Sequence, residues 1–187
     1  MRIQFLLFPF AVFLLFIVGG CSSNETTTKA SSVAEIVNKP SKVGAYVVKK
    51  SGNTVLAVDS QPQDFSATGG VKEYYNAISF SNVKEKLEIG QRVRIEVDGP
   101  VMESYPAQAN AGNIEILPTY KPDQANLTEA QVVKEAVKIA ETKSDWFPAI
   151  RHVEYFEAEA IWKVGIMQNE NKYDLEIQDK ADNKKIR

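Results

Sequence analysis

Hydrophobic positions change their spacing repeatedly along this chain, and each change predicts a different kind of segment. From Ile3 to Val18 they form an almost unbroken run that ends at Val18-Gly19-Gly20-Cys21. From Ser22 to Ser32 (SSNETTTKASS) there is nothing to bury. Between Val43 and Pro118 apolar residues alternate with others in short bursts, the period of strands. From Ala130 to Ala140 they recur at helical spacing, and beyond Ile150 they alternate again.

The first alternating region contains five bursts. Val43, Ala45 and Val47 alternate with Gly44, Tyr46 and Val48; Ser51-Gly52-Asn53 turns the chain, and Leu56 and Val58 continue the pattern, so Lys42 to Asp59 reads as a β-hairpin. A long connection, Ser60 to Gly70, is punctuated by Pro62, Asp64 and Gly69-Gly70. Val71 to Asn76 reads as a helical start, followed by a third strand over Ala77 to Ser81. After Gly90-Gln91, the residues Val93, Ile95 and Val97 point one way and Arg92, Arg94, Glu96 and Asp98 the other, which predicts a strand with a core face and a salt-bridged solvent face. A loop holding Pro100, Tyr105 and Pro106 leads to Ile114, Ile116 and Leu117, a fifth strand. Five short strands with glycine-rich turns predict a small closed barrel of the OB type over residues 42–118, with a sandwich-like sheet as the alternative.

Residues 119–127, with Pro122, are a linker. Thr128-Glu129-Ala130-Gln131 is a capping box, and Ala130, Val133, Val137 and Ala140 form the apolar stripe of a helix that reaches about Lys143. Three strands follow: Ile150 to Glu157, Ala160 to Met167 and Lys172 to Gln178. A helix lying on a three-stranded antiparallel sheet buries both apolar faces, giving an α+β module over 128–178 and a charged tail over 179–187. The fold class is therefore mainly β with α+β.

The N-terminal run has a different meaning. Arg2, sixteen apolar-rich positions and small residues before a cysteine compose a secretory signal peptide over residues 1–20. The run is shorter than the roughly twenty residues that span a bilayer. Val18-Gly19-Gly20-Cys21 resembles the lipobox of bacterial lipoproteins, with Val18 where leucine is favoured. That resemblance implies lipid attachment at Cys21 through acyl chains such as palmitate, and two such chains are what stable anchoring requires. The expected location is the outer face of a bacterial cell membrane. Residues 21–41 read as a flexible tether with a reach of roughly 25 Å, apart from a helical turn suggested by Val33, Ile36 and Val37.

Two stretches carry family resemblances. VGAYVVKKSGNTVLAVDS, QDFSATGGVKEYYNAISFSN and IGQRVRIEVDGPVMESYPAQANAGNIEILP resemble the YobA-like lipoproteins of Gram-positive bacteria over about residues 42–122. The resemblance implies an OB-like domain of unknown function and transfers no catalytic or binding residue. Residues 128–182, through Trp162-Lys163-Val164 and Tyr173-Asp174-Leu175-Glu176-Ile177, more loosely resemble a PepSY-type module. They lack its closing turn glycine. Such a module implies, as an alternative role, modulation of an envelope peptidase.

Composition removes several function classes. With 22 Lys and Arg against 24 Asp and Glu, the near-balance argues against a nucleic-acid partner. Cys21 is the only cysteine, so no disulfide forms within the chain. His152 is the only histidine; it falls in a predicted strand, with no nucleophile elbow to serve, and reads as a structural or solvated strand residue. Zinc needs clustered Cys and His ligands, calcium loops need alternating Asp, and Gly69-Gly70 lacks the Lys-Ser/Thr of a phosphate loop. No cofactor is expected, and Glu157 and Glu159 read as a solvated turn.

The remaining candidates are aromatic. Tyr74, Tyr75 and Phe80 near one long loop, and Glu103, Tyr105 and Gln108 near the other, are the residues expected to touch a ligand, because scaffold loops carry binding residues. The competing reading is that these aromatics fill the barrel. The function expected from sequence is a non-catalytic binding or accessory module for an envelope protein, peptide or glycan. A carboxylate-dependent envelope hydrolase is the alternative from another class.

Overall fold

The computed structural model describes residues 35–180. The signal peptide over 1–20, Cys21, the tether as far as residue 34, and residues 181–187 of the tail lie outside the described residues. The chain enters as an extended pair, β1 (Ile36–Val37), lying parallel to Thr119–Tyr120. This replaces the helical turn suggested for 33–39. The two β-branched residues are better used against a neighbouring strand than in a lone turn.

The alternating region closes into a five-stranded barrel. Its strands are β2 (Ala45–Ser51), β3 (Thr54–Asp59), β4 (Ala77–Ser81), β5 (Arg92–Met102) and β6 (Ala107–Ile116), in the spatial order β2-β3-β4-β6-β5 with β5 returning to β2. All neighbours are antiparallel except β4 and β6. The barrel is thus OB-like, as the strand count predicted. Its interior is filled by Val47, Val55, Ala57, Phe80, Val83, Leu87, Val93, Ala109 and Ile114.

Three local expectations are corrected. Val71 to Asn76 is not helical; Gln63 and Tyr74 pair across the long connection, and its one helical turn is a 3-10 turn at Ser66–Thr68. The loop expected between the last two barrel strands is a long hairpin that stays paired as far as Met102 opposite Gln108. Register shifts between Ile95 and Val97 and between Asp98 and Met102 let Gly99 and Pro100 sit inside it, as bulges do. The same shift takes Val97 off the core face, so it is exposed.

Arg92 is the third correction. It is buried rather than solvated, 3% exposed, because a carboxylate from another element comes to meet it. That element is the helix. After β7 (Thr119–Tyr120), α1 (Glu129–Glu141) starts at Thr128, whose side chain accepts from Gln131 N while Gln131 Oε1 accepts from Thr128 N at 2.8 Å. Glu129, the first helical residue, receives hydrogen bonds from Arg92 Nη2 and Tyr46 Oη, and from Tyr120 N at 3.1 Å. Arg92 Nη1 donates to Ser41 O, and its guanidinium lies 5.2 Å from the Tyr46 ring centroid. Burial, and then the Glu129 carboxylate, push the Tyr46 hydroxyl well above its ordinary pKa.

The last three strands, β8 (Ala149–Phe156), β9 (Ile161–Gln168) and β10 (Asn171–Gln178), form an antiparallel sheet in the order β10-β9-β8. Val132, Val133, Ala136, Val137 and Ala140 of α1 meet Trp162, Val164 and Ile166 of the sheet. The same core includes Tyr46, Val48, Leu56, Val58, Tyr75 and Ala77 of the barrel. Strands β2 and β3 therefore bury both faces, one inside the barrel and one beneath the C-terminal unit. Their apolar runs AYVV and TVLAV record this.

Two further contacts fix the units. Gly90, at φ +91°, lies so close to α1 that a Cβ there would fall 2.1 Å from Ala130 O. Asp179, just beyond β10, accepts from Asn126 N at 2.7 Å, Leu127 N at 2.9 Å and the Trp162 indole at 3.1 Å. Burial alone would raise its pKa, but these donors hold it below the ordinary carboxylate value.

Candidate functional site

The two long loops converge on one place. In the connection over 60–76, the backbone of Tyr74 pairs with Gln63 in both directions, at 2.7 and 3.0 Å, which holds the Tyr74 ring at the surface. Tyr105 stands in the turn of the β5–β6 hairpin and donates from its hydroxyl to Tyr75 O at 2.9 Å. Opposite them the connection between α1 and β8 supplies Trp146 and Phe147, and Gln168, reaching from β9, donates to the backbone oxygen of Trp146.

The rings form a ladder. Phe65 and Tyr74 lie 5.5 Å apart between centroids, Tyr74 and Tyr105 5.4 Å, Tyr105 and Phe147 5.6 Å, and Tyr105 and Trp146 6.1 Å. Trp146 and Phe147 stack at 5.3 Å with 21° between their planes. Phe65, Tyr105 and Trp146 are each about 40% exposed. Large aromatics in series at a surface carry apolar area that the fold has not used.

The ladder separates two cavities. The larger, about 630 Å³, has Val48, Leu56 and Ser79 as its floor, Lys49 and Thr54 on one lip, and Glu141 and Asp145 on the other. The smaller, about 220 Å³, lies among Val71, Tyr74, Tyr105 and Met167. Trp146 and Phe147 line both. In OB folds the face of the second and third strands, with neighbouring loops, is the usual place for a ligand. Here those strands are β3 and β4, and the C-terminal unit covers part of that face, so the rest is a groove.

Of the residues expected from sequence, Tyr74, Tyr75 and Tyr105 come together, with Tyr75 buried beneath the other two. Phe80 is not part of this group; it sits in the barrel interior. Glu103 is exposed at the hairpin turn, and Gln108 is exposed in β6 beside Ser79. Sequence reasoning missed Trp146 and Phe147. The available signal was the tripeptide Trp146-Phe147-Pro148 in an otherwise polar connection, where no helix or strand period accounts for two adjacent aromatics.

A second cleft, about 450 Å³, opens between the units among Tyr46, Glu73, Tyr75, Glu129, Arg151 and His152. It contains two carboxylates, the arrangement that acid-base hydrolysis requires. Both are occupied. Glu129 is held by Arg92, while Glu73 receives Arg151 Nε at 2.8 Å, Tyr75 Oη at 2.9 Å and Lys172 Nζ. Burial would raise the Glu73 pKa, but those hydrogen bonds outweigh it and bring it down to about 2. A carboxyl so acidic neither donates nor accepts a proton effectively near neutral pH. His152 lies across Gly165 with Nε2 3.6 Å from Asp174. Among the described residues, no group of three His, Cys, Asp or Glu side chains is placed to hold a metal ion.

Glu73 makes stability depend on pH. Its folded-state pKa lies below the ordinary 4.5, so its contribution is complete above about pH 4.5 and is lost as pH falls through about 2. With solvent screening of the half-exposed Lys172, the expected loss is roughly 2 kcal/mol. Urea unfolding at pH 6 and at pH 2.5 should show this loss, and Glu73→Gln should remove that part of the pH dependence. An unchanged acid slope in Glu73→Gln would refute the assignment.

Comparison with family models matches residues 45–118 to a family described as a protein of unknown function (DUF3221). The matched span contains all five barrel strands and ends at Pro118. Comparison with curated proteins and with solved structures gives no match.

Proposed function

We propose that this chain is a lipid-anchored extracytoplasmic lipoprotein that binds a ligand, without catalysis, in the groove between its barrel and its C-terminal unit. The ligand is an envelope protein segment, peptide or glycan. The observation that carries this reading is the shared wall. Residues from three separate connections, Tyr74, Tyr105 and Trp146-Phe147, meet as a partly exposed aromatic ladder between two cavities. Pockets that hold ligands are apolar and aromatic with a few convergent polar groups, and this groove has that composition. The hydrolase reading is weaker because Glu73 and Glu129 are neutralised within structural ion pairs.

Membrane attachment through Cys21 is part of the same proposal and rests on the sequence. A clickable palmitate analogue fed to cells should label the wild-type chain and leave Cys21→Ala unlabelled; equal labelling would refute attachment there. Binding is tested through the two tryptophans, of which Trp146 is exposed and Trp162 buried. Envelope material separated into protein and polysaccharide fractions should shift the emission of Trp146 to the blue. A Trp146→Phe chain, whose remaining indole is sealed in the core, should not respond. Lack of response to either fraction would overturn the binding reading.

A further inference from the structure

We infer that the groove takes a neutral, linear carbohydrate chain whose sugar rings lie on the exposed faces of Trp146 and Tyr105. This deepens the binding reading and rests on it. Sugars present two kinds of surface, flat faces of C–H groups and rims of hydroxyls, and a site for them needs flat apolar platforms bordered by hydrogen-bonding groups. Trp146 stacked on Phe147, with Tyr105 and Phe65 further along, supplies a series of platforms.

The lips supply the border. Lys50 Nζ is committed to Leu87 O at 2.7 Å, which leaves Lys49 as the cation of one lip. Glu141 and Asp145 stand on the other. Hydroxyls donate to those carboxylates and accept from the ammonium group without bringing net charge. A strongly charged chain of either sign would meet a like charge on one lip, which opposes binding.

The floor argues against an extended peptide. It is the face of β2, β3 and β4, whose backbones pair with one another at Lys50 with Val55 and Leu56 with Ser79. It offers no free strand edge for β-augmentation, so the N–H and C=O groups of a peptide lying there would lack main-chain partners. A carbohydrate needs none.

The test is a titration of the full-length protein in detergent with cellohexaose, chitohexaose and maltohexaose, and with a proline-rich dodecapeptide. Trp146 emission is followed first, then calorimetry. The expected result is saturable binding of at least one hexasaccharide, with an affinity little changed by adding about 0.5 M salt, since no ionic attraction is being screened. Trp146→Ala should weaken it roughly tenfold or more, Asp145→Ala should weaken it less, and Phe156→Ala, on the far sheet face, should leave it unchanged. Asp145 is exposed, so its replacement tests the site even if Trp146→Ala fails to fold. Binding of the peptide and of no sugar would overturn the carbohydrate assignment while leaving the groove as the site. Binding of neither would overturn both. Sugar binding indifferent to Trp146→Ala and Asp145→Ala would place the carbohydrate elsewhere and overturn the inference.

Discussion

Glu129→Ala should lower the free energy of unfolding by roughly 3–5 kcal/mol, the cost of leaving one partner of a buried ion pair alone. Arg92 is 3% exposed and its Nε already lacks a hydrogen-bond partner, so the guanidinium cannot turn to water without opening the interface. The substitution also removes the acceptor of the Tyr46 hydroxyl and of Tyr120 N. Glu129→Gln keeps an acceptor for both and should cost less. The double variant Arg92→Met, Glu129→Leu should recover most of the loss, because replacing a whole buried pair with apolar residues is often neutral or stabilising. Urea unfolding of the four chains decides it. A loss below about 1 kcal/mol in Glu129→Ala would mean that the pair is hydrated and not structural.

Gly90→Ala should cost roughly 3 kcal/mol through two separable effects. At φ +91° a side chain is strained wherever it sits, by about 1–3 kcal/mol. The added methyl would also meet backbone, Ala130 O at 2.1 Å and Lys134 N at 2.7 Å, and the helix can yield only by lifting from the barrel. Gly52→Ala provides the comparison. Gly52 has φ +57° with open space around its missing Cβ, so its cost is strain alone, about 1 kcal/mol. Thermal unfolding of both variants should separate clash from strain. Equal losses would show that α1 does not depend on close approach at Gly90.

Much of this architecture was legible in the sequence because its periods are clean. The capping box at Thr128 and the alternation of Tyr173, Leu175 and Ile177 place α1 and β10 within a residue or two of their observed ends. Arg92 was misread because strand alternation shows that a residue leaves one face, not what covers the other. The cover came from Glu129, 37 positions away. The β5–β6 hairpin was taken for a loop because Gly99 and Pro100 signal a break, which bulges instead absorbed. At the site, Tyr74, Tyr75 and Tyr105 were identifiable from their loops, whereas Phe80 followed the alternation of β4 into the barrel. Trp146 and Phe147 belong to a connection with no period at all, and their partnership with Tyr105 exists only once the units dock.

That docking also limits how the chain can be divided or inherited. Tyr46, Val48, Leu56 and Val58 serve the helix and sheet as much as the barrel, so the segment ending at Pro118 that matches the family model is not a self-sufficient folding body in this chain. Cut there, it would present a wide apolar wall to water and associate with itself. A natural protein that kept the barrel and lost the helix and sheet would have to exchange these four positions for polar residues or acquire another cover. The character of those positions is therefore a marker, readable from any related sequence, of whether its barrel stands alone.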